Sequence, residues 1–334
     1  MRTLVTGATG FIGRHLVNTL YEKGSKIRCL VRGNSHVEHL KREGIELIYG
    51  DLSDKDTLQG AVKGIDIIYH LAGEVYSTKS NNYYHVNVIG AKNILESCLS
   101  EKIKKFVYLS STSVTGPNPS RDILLNEKSP CHPITPYGES KYEAERLVLK
   151  FYEDHKLPVV IIRPPIVYGP GVSHSSRVFM FLRLIQKGLF RTIGDGNNLI
   201  SLCYIDNLIH GIMLAGENKV VVGEIYYIAD ERPYTINEIA QAIAKEEGVK
   251  LSGSHIPIWL ANILAVTLVI PAKLFGFVSP LSRNTVREVR SNWTCDISKA
   301  QRELGYRAII RFEEGVKKTV EWYREYHKTE NNRP

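Results

Sequence analysis

The chain has 334 residues, 43% of them hydrophobic and 23% charged, which is enough to bury a large core in one big domain or two unequal ones. Its net charge of +8 does not indicate a nucleic-acid partner, because Lys and Arg are spread along the chain rather than gathered in runs or interleaved with aromatics. The five cysteines form no CxxC pair and no compact framework, which argues against disulfides and structural zinc and favours a reducing, cytoplasmic compartment.

Short apolar runs alternate with helix-forming stretches in the first 165 residues, as in a parallel sheet covered by helices. The predicted strands are Thr3–Thr6, Ile27–Val31, Glu46–Tyr49, Asp66–His70, Lys105–Ser110 and Pro158–Arg163. Right-handed crossovers wind such units into one Rossmann-type, doubly wound α/β sheet. The opening residues MRTLVTGATG pass directly into a strand and a glycine turn, so we expect no export signal there.

The strand–helix rhythm breaks after Pro164. The segment RPPIVYGPG leads to a predicted helix near Arg177–Lys187, then to a loop and to strand-like sequence at Glu224–Ala229. We predict a dinucleotide-binding domain over 1–165 plus about 199–230, and a smaller, mainly helical substrate domain over about 166–198 and 231–330.

An uncharged apolar stretch, IPIWLANILAVTLVI, occupies Ile256–Ile270, and its apolar character continues to about Leu281. A membrane-spanning helix needs ~20 apolar residues, and Pro257, Pro271 and Lys273 interrupt this run. We therefore predict a buried or pocket-lining helix. The alternative is a helix that rests on a membrane surface or lines a route for an apolar substrate.

A glycine-rich turn, TGATGFIG, follows the first predicted strand and opens a predicted helix over Phe11–Glu22. Gly7, Gly10 and Gly13 allow a tight turn, close approach of a phosphate, and close packing of the helix on the sheet. The N–H groups and the positive dipole end of that helix suit a pyrophosphate. Because the strand before and the helix after are the context that this motif requires, the sequence predicts a dinucleotide cofactor.

The residue at the end of the second strand indicates whether the cofactor is NAD or NADP. An acidic side chain there binds the ribose hydroxyls of NAD, whereas a basic side chain pairs with the 2′-phosphate of NADP. Arg32 stands at this position in KIRCLVRGNSH, so we predict a preference for NADP, with NAD as the alternative. A solvated strand end is the other interpretation of Arg32. Asp51 is placed either to accept from the adenine amino group or to serve as a turn residue, and Arg14 either joins the phosphate cradle or lies on the surface.

Over nearly its whole length the chain resembles the extended short-chain dehydrogenase/reductase family, within the NAD-dependent epimerase/dehydratase superfamily. Several of its motifs are similar to those of the family and occur in the same order. The similar segments are TGATGFIG, HLAG, YGESK, RPPIVYGPG, GDGNNLISLCYIDNL and CDISKAQRELGY…FEEGVKKTVEWY, where HLAG departs from the usual HLAA. The resemblance implies a catalytic set of Ser111, Tyr137 and Lys141. Ser110 and Ser113 are the neighbouring alternatives for the serine.

The same resemblance implies a set of cofactor contacts and a homodimer formed through helices that flank the sheet, one of them beginning at Tyr137. Asn87, in HVNVIGAKNIL, matches a helix asparagine that organises the site, and an ordinary helix-face amide is the alternative. No metal ligands are implied. The implied cofactor-binding residues are Gly7, Thr9, Gly10, Phe11, Ile12, Gly13, Arg32, Asp51, Leu52, Leu71, Ala72, Gly73, Asn87, Tyr137, Lys141 and Pro164.

The spacing of Tyr137 and Lys141 suits acid–base chemistry. A free tyrosine, with a pKa of ~10, is a poor base near neutral pH, so a cation has to lower that pKa. A lysine at i+4 lies one turn away on the same helix face, and a positive nicotinamide adds to its effect. Ser111, at a strand end, is expected to donate to the substrate oxygen while Tyr137 exchanges its proton during hydride transfer at a carbinol or carbonyl carbon.

The substrate class follows from departures from the family pattern. Dehydratases of the family carry an Asp–Glu pair where this chain has Thr112 and Ser113. Its sugar-nucleotide enzymes bind the diphosphate through an asparagine and an arginine at positions that correspond to Pro165 and Ile200, which argues against a nucleotide sugar. The arginines available to substitute are Arg177, Arg183, Arg287 and Arg290.

YLSSTSVTGPN, RPPIVYGPG and the apolar Ile256–Ile270 stretch look more like the 3β-hydroxysteroid dehydrogenase and dihydroflavonol reductase branch. We therefore predict an NADP(H)-preferring oxidoreductase of an apolar secondary alcohol or ketone that is steroid-, terpenoid- or flavonoid-like. A nucleotide-sugar 4-epimerase is the first alternative. A non-catalytic, cofactor-binding assembly subunit is the second, and the intact catalytic set argues against it.

Overall fold

The computed structural model describes residues 1–77, 80–263, 267 and 283–331. Seven parallel strands form the main sheet in the spatial order β3–β2–β1–β4–β5–β6–β11. They are β1 (Arg2–Thr6), β2 (Lys26–Val31), β3 (Ile45–Tyr49), β4 (Ile67–His70), β5 (Lys105–Leu109), β6 (Val159–Arg163) and β11 (Glu224–Tyr227). The Rossmann-type α/β prediction is confirmed, and the six strands predicted before Pro164 agree with these bounds to within one residue at each end.

Helices cover both faces of this sheet, because successive residues of each strand point to opposite sides. Leu4 belongs to one hydrophobic cluster and its neighbour Val5 to the other. The described helices are α1 (Phe11–Glu22), α2 (Lys55–Val62), α3 (Ser80–Tyr84), α4 (Gly90–Cys98), α5 (Pro136–His155), α6 (Arg177–Gln186), α7 (Ile205–Glu217), α8 (Ile236–Glu247), α9 (Arg283–Arg290), α10 (Ser298–Leu304) and α11 (Phe312–Asn331).

Helix α5 has a well-defined start. The Thr135 side chain accepts from the backbone N–H of Gly138, and Pro136 occupies the first turn, where its missing N–H costs no hydrogen bond. These signals place Tyr137 in the first turn. The lysine at 141 then lies one turn further along a buried face.

Short strand pairs and three helices build a second region beyond β6. The strands are β7 (Ile166–Tyr168), β8 (Thr192–Ile193), β9 (Leu199–Ile200), β10 (Leu202–Tyr204), β12 (Tyr234–Thr235) and β13 (His255–Ile256). They pair as β7 with β10, β9 with β12 and β8 with β13, while α8 packs on both α6 and α11. We call the region formed by β7, β9, β10, α6, α8 and α11 the apolar lobe. The exact division of the chain into two domains stays a prediction.

The prediction for residues 256–281 falls largely outside the described residues, which omit 264–266 and 268–282. Residues 258–263 are helical, with Trp259 65% and Ile263 51% exposed and Ala261 buried. Within the described ranges, every helix is too short or too polar to cross a bilayer.

Candidate active site

The glycine turn between β1 and α1 is built for close backbone approach. Gly7 has a φ of +72°, and a Cβ there would lie 2.7 Å from the backbone nitrogen of Ala72. A Cβ on Gly13 would lie 2.0 Å from the carbonyl oxygen of Gly7. Gly10 caps α1 with no side-chain hydrogen bond, and the first turn of the helix carries no acidic residue. This cradle and the uncapped helix end fit a dinucleotide pyrophosphate.

The residues expected near the adenosine lie at the ends of β2 and β3. Arg32 is exposed directly after β2, the strand that pairs with β1. Asp51 accepts hydrogen bonds at Oδ1 from the N–H and hydroxyl of Ser53, at 2.9 and 2.8 Å, so it shapes a turn whether or not it contacts adenine. Arg14 donates from Nε to the carbonyl of Thr9 at 2.9 Å, which braces the glycine turn.

Hydrogen bonds tie the residues after β4 to the same turn. The backbone N–H groups of Leu71 and Ala72 donate to the carbonyl and hydroxyl oxygens of Thr6, at 3.3 and 3.2 Å. The hydroxyl of Thr6 also lies 2.9 Å from Nδ1 of His70. Burial, helped by the charge of Lys141, lowers the pKa of His70 to about 3, so the imidazole stays neutral and acts as a brace.

Asn87 connects this strand end with helix α5. It lies in a single π-helical turn, His85–Ile89, a feature that is frequent at functional sites. Its Oδ1 accepts from the N–H of Glu74 at 2.8 Å, and its Nδ2 donates to the carbonyl of Glu74 and to Oγ of Ser140, at 3.1 and 2.9 Å. Ser140 in turn donates to the carbonyl of Tyr137 at 2.8 Å. This geometry supports an organising role rather than that of an ordinary surface amide.

Ser111 lies against Tyr137 at the end of β5. Its Oγ donates to the Ser113 hydroxyl and accepts from the Ser113 N–H, both at 3.1 Å. Burial raises the pKa of Tyr137 to about 12, while a hydrogen bond with Ser111 opposes the rise and the neighbouring Tyr76 and Tyr83 add to it. The three serines at this strand end therefore differ, and Ser111 is the one whose hydroxyl opposes the rise in the pKa of Tyr137.

Lys141 is buried beneath this pair. Its Nζ donates to the carbonyl of Leu109 at 2.5 Å and lies 4.2 Å from the ring centroid of Tyr108. Burial lowers the pKa of Lys141 to about 7, and the charge of Glu145, one helical turn further on, opposes that shift. The sequence predicts that Lys141 lowers the pKa of Tyr137. In the structure burial raises that pKa, and Ser111, not Lys141, is the group that opposes the rise.

A buried ion pair below Lys141 was not singled out from the sequence. Arg163, on β6, donates from Nε and Nη2 to the two oxygens of Glu145, at 2.9 and 2.6 Å, and both side chains are almost fully buried. Nη1 of Arg163 donates to the hydroxyl of Tyr227 at 3.3 Å. The pair therefore attaches α5 to the sheet. The signal available in the sequence was the position of Glu145, four residues after Lys141 on the same helix face.

The remaining implied contacts lie around the same strand ends. Leu52 packs beneath Gly90, where an added Cβ would lie 2.9 Å from its Cδ1. A Cβ on Gly73 would lie 3.1 Å from Oδ1 of Asn87. The carbonyl of Pro164 accepts from the N–H of Thr112 at 3.0 Å, which fixes the loop after β6 to the segment that carries the serines.

An apolar cavity of about 90 Å³ lies in the apolar lobe rather than at the strand ends. None of Ser111, Tyr137 and Lys141 lines it, whereas Ile200 and Arg177 do. The position that the resemblance equates with a diphosphate-binding arginine, Ile200, thus forms part of an apolar wall. The guanidinium of Arg177 pairs with Glu288 on α9.

Comparison with known proteins gives a consistent result. Residues 3–229 match the model of the NAD dependent epimerase/dehydratase family. A 4-hydroxy-2-methyl-3-oxo-4-farnesyl-3,4-dihydroquinoline-1-oxide ketoreductase from Stigmatella aurantiaca is 27% identical and the match covers 95% of each chain. The decarboxylating sterol-4-alpha-carboxylate 3-dehydrogenase of Mus musculus is 28% identical, with 97% of this chain and 91% of the relative covered. The dTDP-glucose 4,6-dehydratase DesIV from Streptomyces venezuelae, solved with NAD bound, superposes with a TM-score of 0.81 at 25% identity over 98% of each chain.

Proposed function

The chain belongs to the NAD-dependent epimerase/dehydratase family as an NAD(P)-dependent oxidoreductase of the extended short-chain dehydrogenase/reductase type, and we propose that it transfers hydride between nicotinamide and an apolar secondary alcohol or ketone. The observation that carries this proposal is the geometry at the carboxyl end of the sheet that bears the glycine turn. There the first turn of α5, with Tyr137, packs on the segment that carries Ser111, and the buried Lys141 donates to the carbonyl of Leu109.

Each member of this set has a distinct role in the proposal. Ser111 donates to the substrate oxygen and Tyr137 exchanges a proton with it. Lys141 binds the nicotinamide ribose, and its charge stabilises the phenolate form of Tyr137. The nicotinamide, when bound, supplies or accepts the hydride. Asn87 and the pair of Glu145 with Arg163 hold α5 in place.

An apolar substrate is supported by two independent features. Pro165 and Ile200 stand where the resemblance expects diphosphate-binding side chains, and Ile200 lines an apolar cavity. The two curated relatives are named for reduction of a ketone on a farnesyl-bearing quinoline and for dehydrogenation of a sterol. A steroid-, terpenoid- or flavonoid-like ketone or alcohol is therefore the substrate class that we propose.

The test is turnover of a panel of apolar ketones and alcohols with NADPH, NADH and their oxidised forms. We expect stoichiometric change in the reduced cofactor, and a loss of about 10²–10⁴-fold in kcat for Tyr137→Phe. Tyr84→Phe, which removes an exposed hydroxyl from a nearby helix, is the control.

Two other results would contradict the proposal. Interconversion of UDP-sugars without net change in cofactor would establish the 4-epimerase alternative. Cofactor binding with no turnover of any compound would favour the non-catalytic assembly subunit.

The preference for NADP rests on Arg32, exposed at the end of β2. If Arg32 forms a charge-assisted pair with the 2′-phosphate, which only NADPH carries, its loss affects that cofactor alone. We therefore expect Arg32→Ala to raise the KM for NADPH at least about tenfold and to change the KM for NADH less than twofold. Arg42→Ala, which removes a guanidinium that donates to Asn18, is the matched control. Equal losses for both cofactors would show that Arg32 does not contact the phosphate.

We further propose a cytoplasmic homodimer, formed through helices that flank the sheet, with α5 among them. Light scattering should then give twice the 37.7 kDa chain mass. Peripheral membrane contact through 256–281 is supported by the exposed Trp259 and Ile263. Co-sedimentation with phosphatidylglycerol vesicles, and its loss in Trp259→Ala, would test that contact.

A further inference from the structure

The cavity in the apolar lobe is closed in by large hydrocarbon side chains from three helices. Phe181 comes from α6, Ile239 and Ile243 from α8, and Phe312 and Val316 from α11. Its volume of about 90 Å³ is several times what one water needs, but a water also requires polar partners. A pocket with such walls offers water no hydrogen-bond partner and suits apolar guests.

The polar side chains in the lining are already hydrogen-bonded within the protein. The hydroxyl of Tyr168 donates to Oδ2 of Asp230 at 3.0 Å, and Oγ1 of Thr319 donates to the carbonyl of Gly315 at 2.6 Å. Arg177 pairs with Glu288. Because a polar guest would lose its water without gaining these partners, the cavity selects for hydrocarbon.

The wall of the cavity connects directly to the catalytic strand end. Ile166 lines the cavity and lies two residues after Pro164, whose carbonyl accepts from the N–H of Thr112, next to Ser111. Consecutive Cα atoms are ~3.8 Å apart, so the Cα atom of Ile166 lies within ~7.6 Å of that of Pro164, the residue that is hydrogen-bonded to the segment carrying Ser111.

We infer that this cavity holds the hydrocarbon chain of the substrate while the carbonyl or carbinol carbon lies at Ser111 and Tyr137. The inference rests on the proposed function and adds to it a substrate class with two parts, an oxidisable or reducible head and an unbranched or isoprenoid chain. The apolar lobe thus selects the substrate by chain length, whereas the strand end recognises only its oxygen.

A homologous series of 2-alkanones, from 2-pentanone to 2-undecanone, tests this inference with NADPH as cofactor. Each methylene that enters the cavity should raise kcat/KM by about threefold until the cavity is full. The ratio of kcat/KM for 2-undecanone over that for 2-pentanone should therefore exceed about 30.

Filling the cavity should abolish that ratio. Ile243→Trp places a larger side chain in the wall of α8, and Ile239→Phe is a milder second variant if the first does not fold. Both are expected to reduce the ratio to below about 3. Gln241→Trp, which adds the same side chain to the exposed face of the same helix, should retain the wild-type ratio.

Direct binding separates a failure of this inference from a failure of the proposed function. Calorimetry should show 2-undecanone binding at least about tenfold more tightly than 2-pentanone to the wild type, and equally weakly to Ile239→Phe. That result without turnover would support the cavity and contradict the proposed reaction. The opposite result is also possible, in which Ile239→Phe and Ile243→Trp leave the ratio of 2-undecanone to 2-pentanone, in turnover or in binding, unchanged. That result would overturn the inference about the cavity without contradicting the proposed reaction.

Discussion

The strand end that we propose is catalytic and the apolar lobe use polar groups in opposite ways. At the strand end, Asn87, Lys141 and Arg163 are buried, and each donates hydrogen bonds that attach one element to the next. In the lobe, Tyr168 and Thr319 turn their hydroxyls away from the cavity and present carbon to it. The difference fits the two proposed roles, because proton transfer needs charged and polar groups held in place, whereas binding of a hydrocarbon needs volume without competing polar partners.

The largest expected effect is at Lys141. Lys141→Met removes the cation that we propose stabilises the phenolate form of Tyr137, and it should lower kcat/KM by about 10²–10⁴-fold. Lys150→Met, an exposed change on the same helix, is the control. If Lys141→Met retained more than a tenth of the wild-type activity, the reaction at the strand end would not depend on a buried charge. The proposed difference between the strand end and the apolar lobe would then be wrong.

The same variant should change the dependence of stability on pH. Burial lowers the pKa of Lys141 from 10.5 to about 7, so between these values the unfolded chain binds a proton that the folded chain does not. The free energy of unfolding of the wild type therefore gains a contribution that rises with pH from about 7 to 10.5. Urea titrations should show that Lys141→Met loses this contribution.

The next effect is at the buried ion pair. Glu145→Ala leaves Arg163 charged and unpaired in the interior and should lower the free energy of unfolding by about 3–5 kcal/mol. Replacing both residues, as Glu145→Leu with Arg163→Met, should cost less than the single change. The free energy of unfolding of the control Glu143→Ala, a change at an exposed site, should stay within about 0.5 kcal/mol of the wild type. An equal loss in Glu143→Ala and Glu145→Ala would show that burial of the ion pair does not cause the loss.

The glycine turn allows a matched comparison of two glycines. A Cβ on Gly13 meets the carbonyl of Gly7 at 2.0 Å, so Gly13→Ala should destabilise the fold by about 1–3 kcal/mol and weaken cofactor binding. Gly60, within α2, has no atom within 4 Å of such a Cβ. Gly60→Ala should therefore stabilise by up to about 1 kcal/mol, and similar losses in both variants would contradict the packing argument.

The smallest effect is in the lobe. Tyr168→Phe removes the donor to Asp230 and should cost about 1.5 kcal/mol of unfolding free energy at pH 7. Burial raises the pKa of Asp230 to about 6, so the carboxylate is ionised at pH 7 and the cost should fall when the pH drops below about 6. Urea titrations at pH 7 and pH 5 measure the difference, with the exposed Tyr84→Phe as control. A loss of unfolding free energy that is independent of pH would show that the hydroxyl of Tyr168 does not stabilise the ionised carboxylate of Asp230.

Short-range patterns in the sequence are enough to predict several parts of this protein. Strand bounds follow from apolar runs, the start of α5 follows from Thr135 and Pro136, and the glycine turn follows from the spacing of Gly7, Gly10 and Gly13. Each of these features is encoded within a few consecutive residues, so local conformational preference and periodicity suffice to predict it.

Other features depend on desolvation and on contacts between residues distant in sequence, so they become visible only in the folded chain. Ser111 is distinguished from its neighbours by a contact with Tyr137, 26 positions later in the chain. The opposite pKa shifts of Tyr137 and Lys141 follow from burial, which no motif records. The cavity joins Ile166, Ile243 and Val316 from separate elements, and its apolar lining is a property of the packed walls as a whole rather than of any one segment.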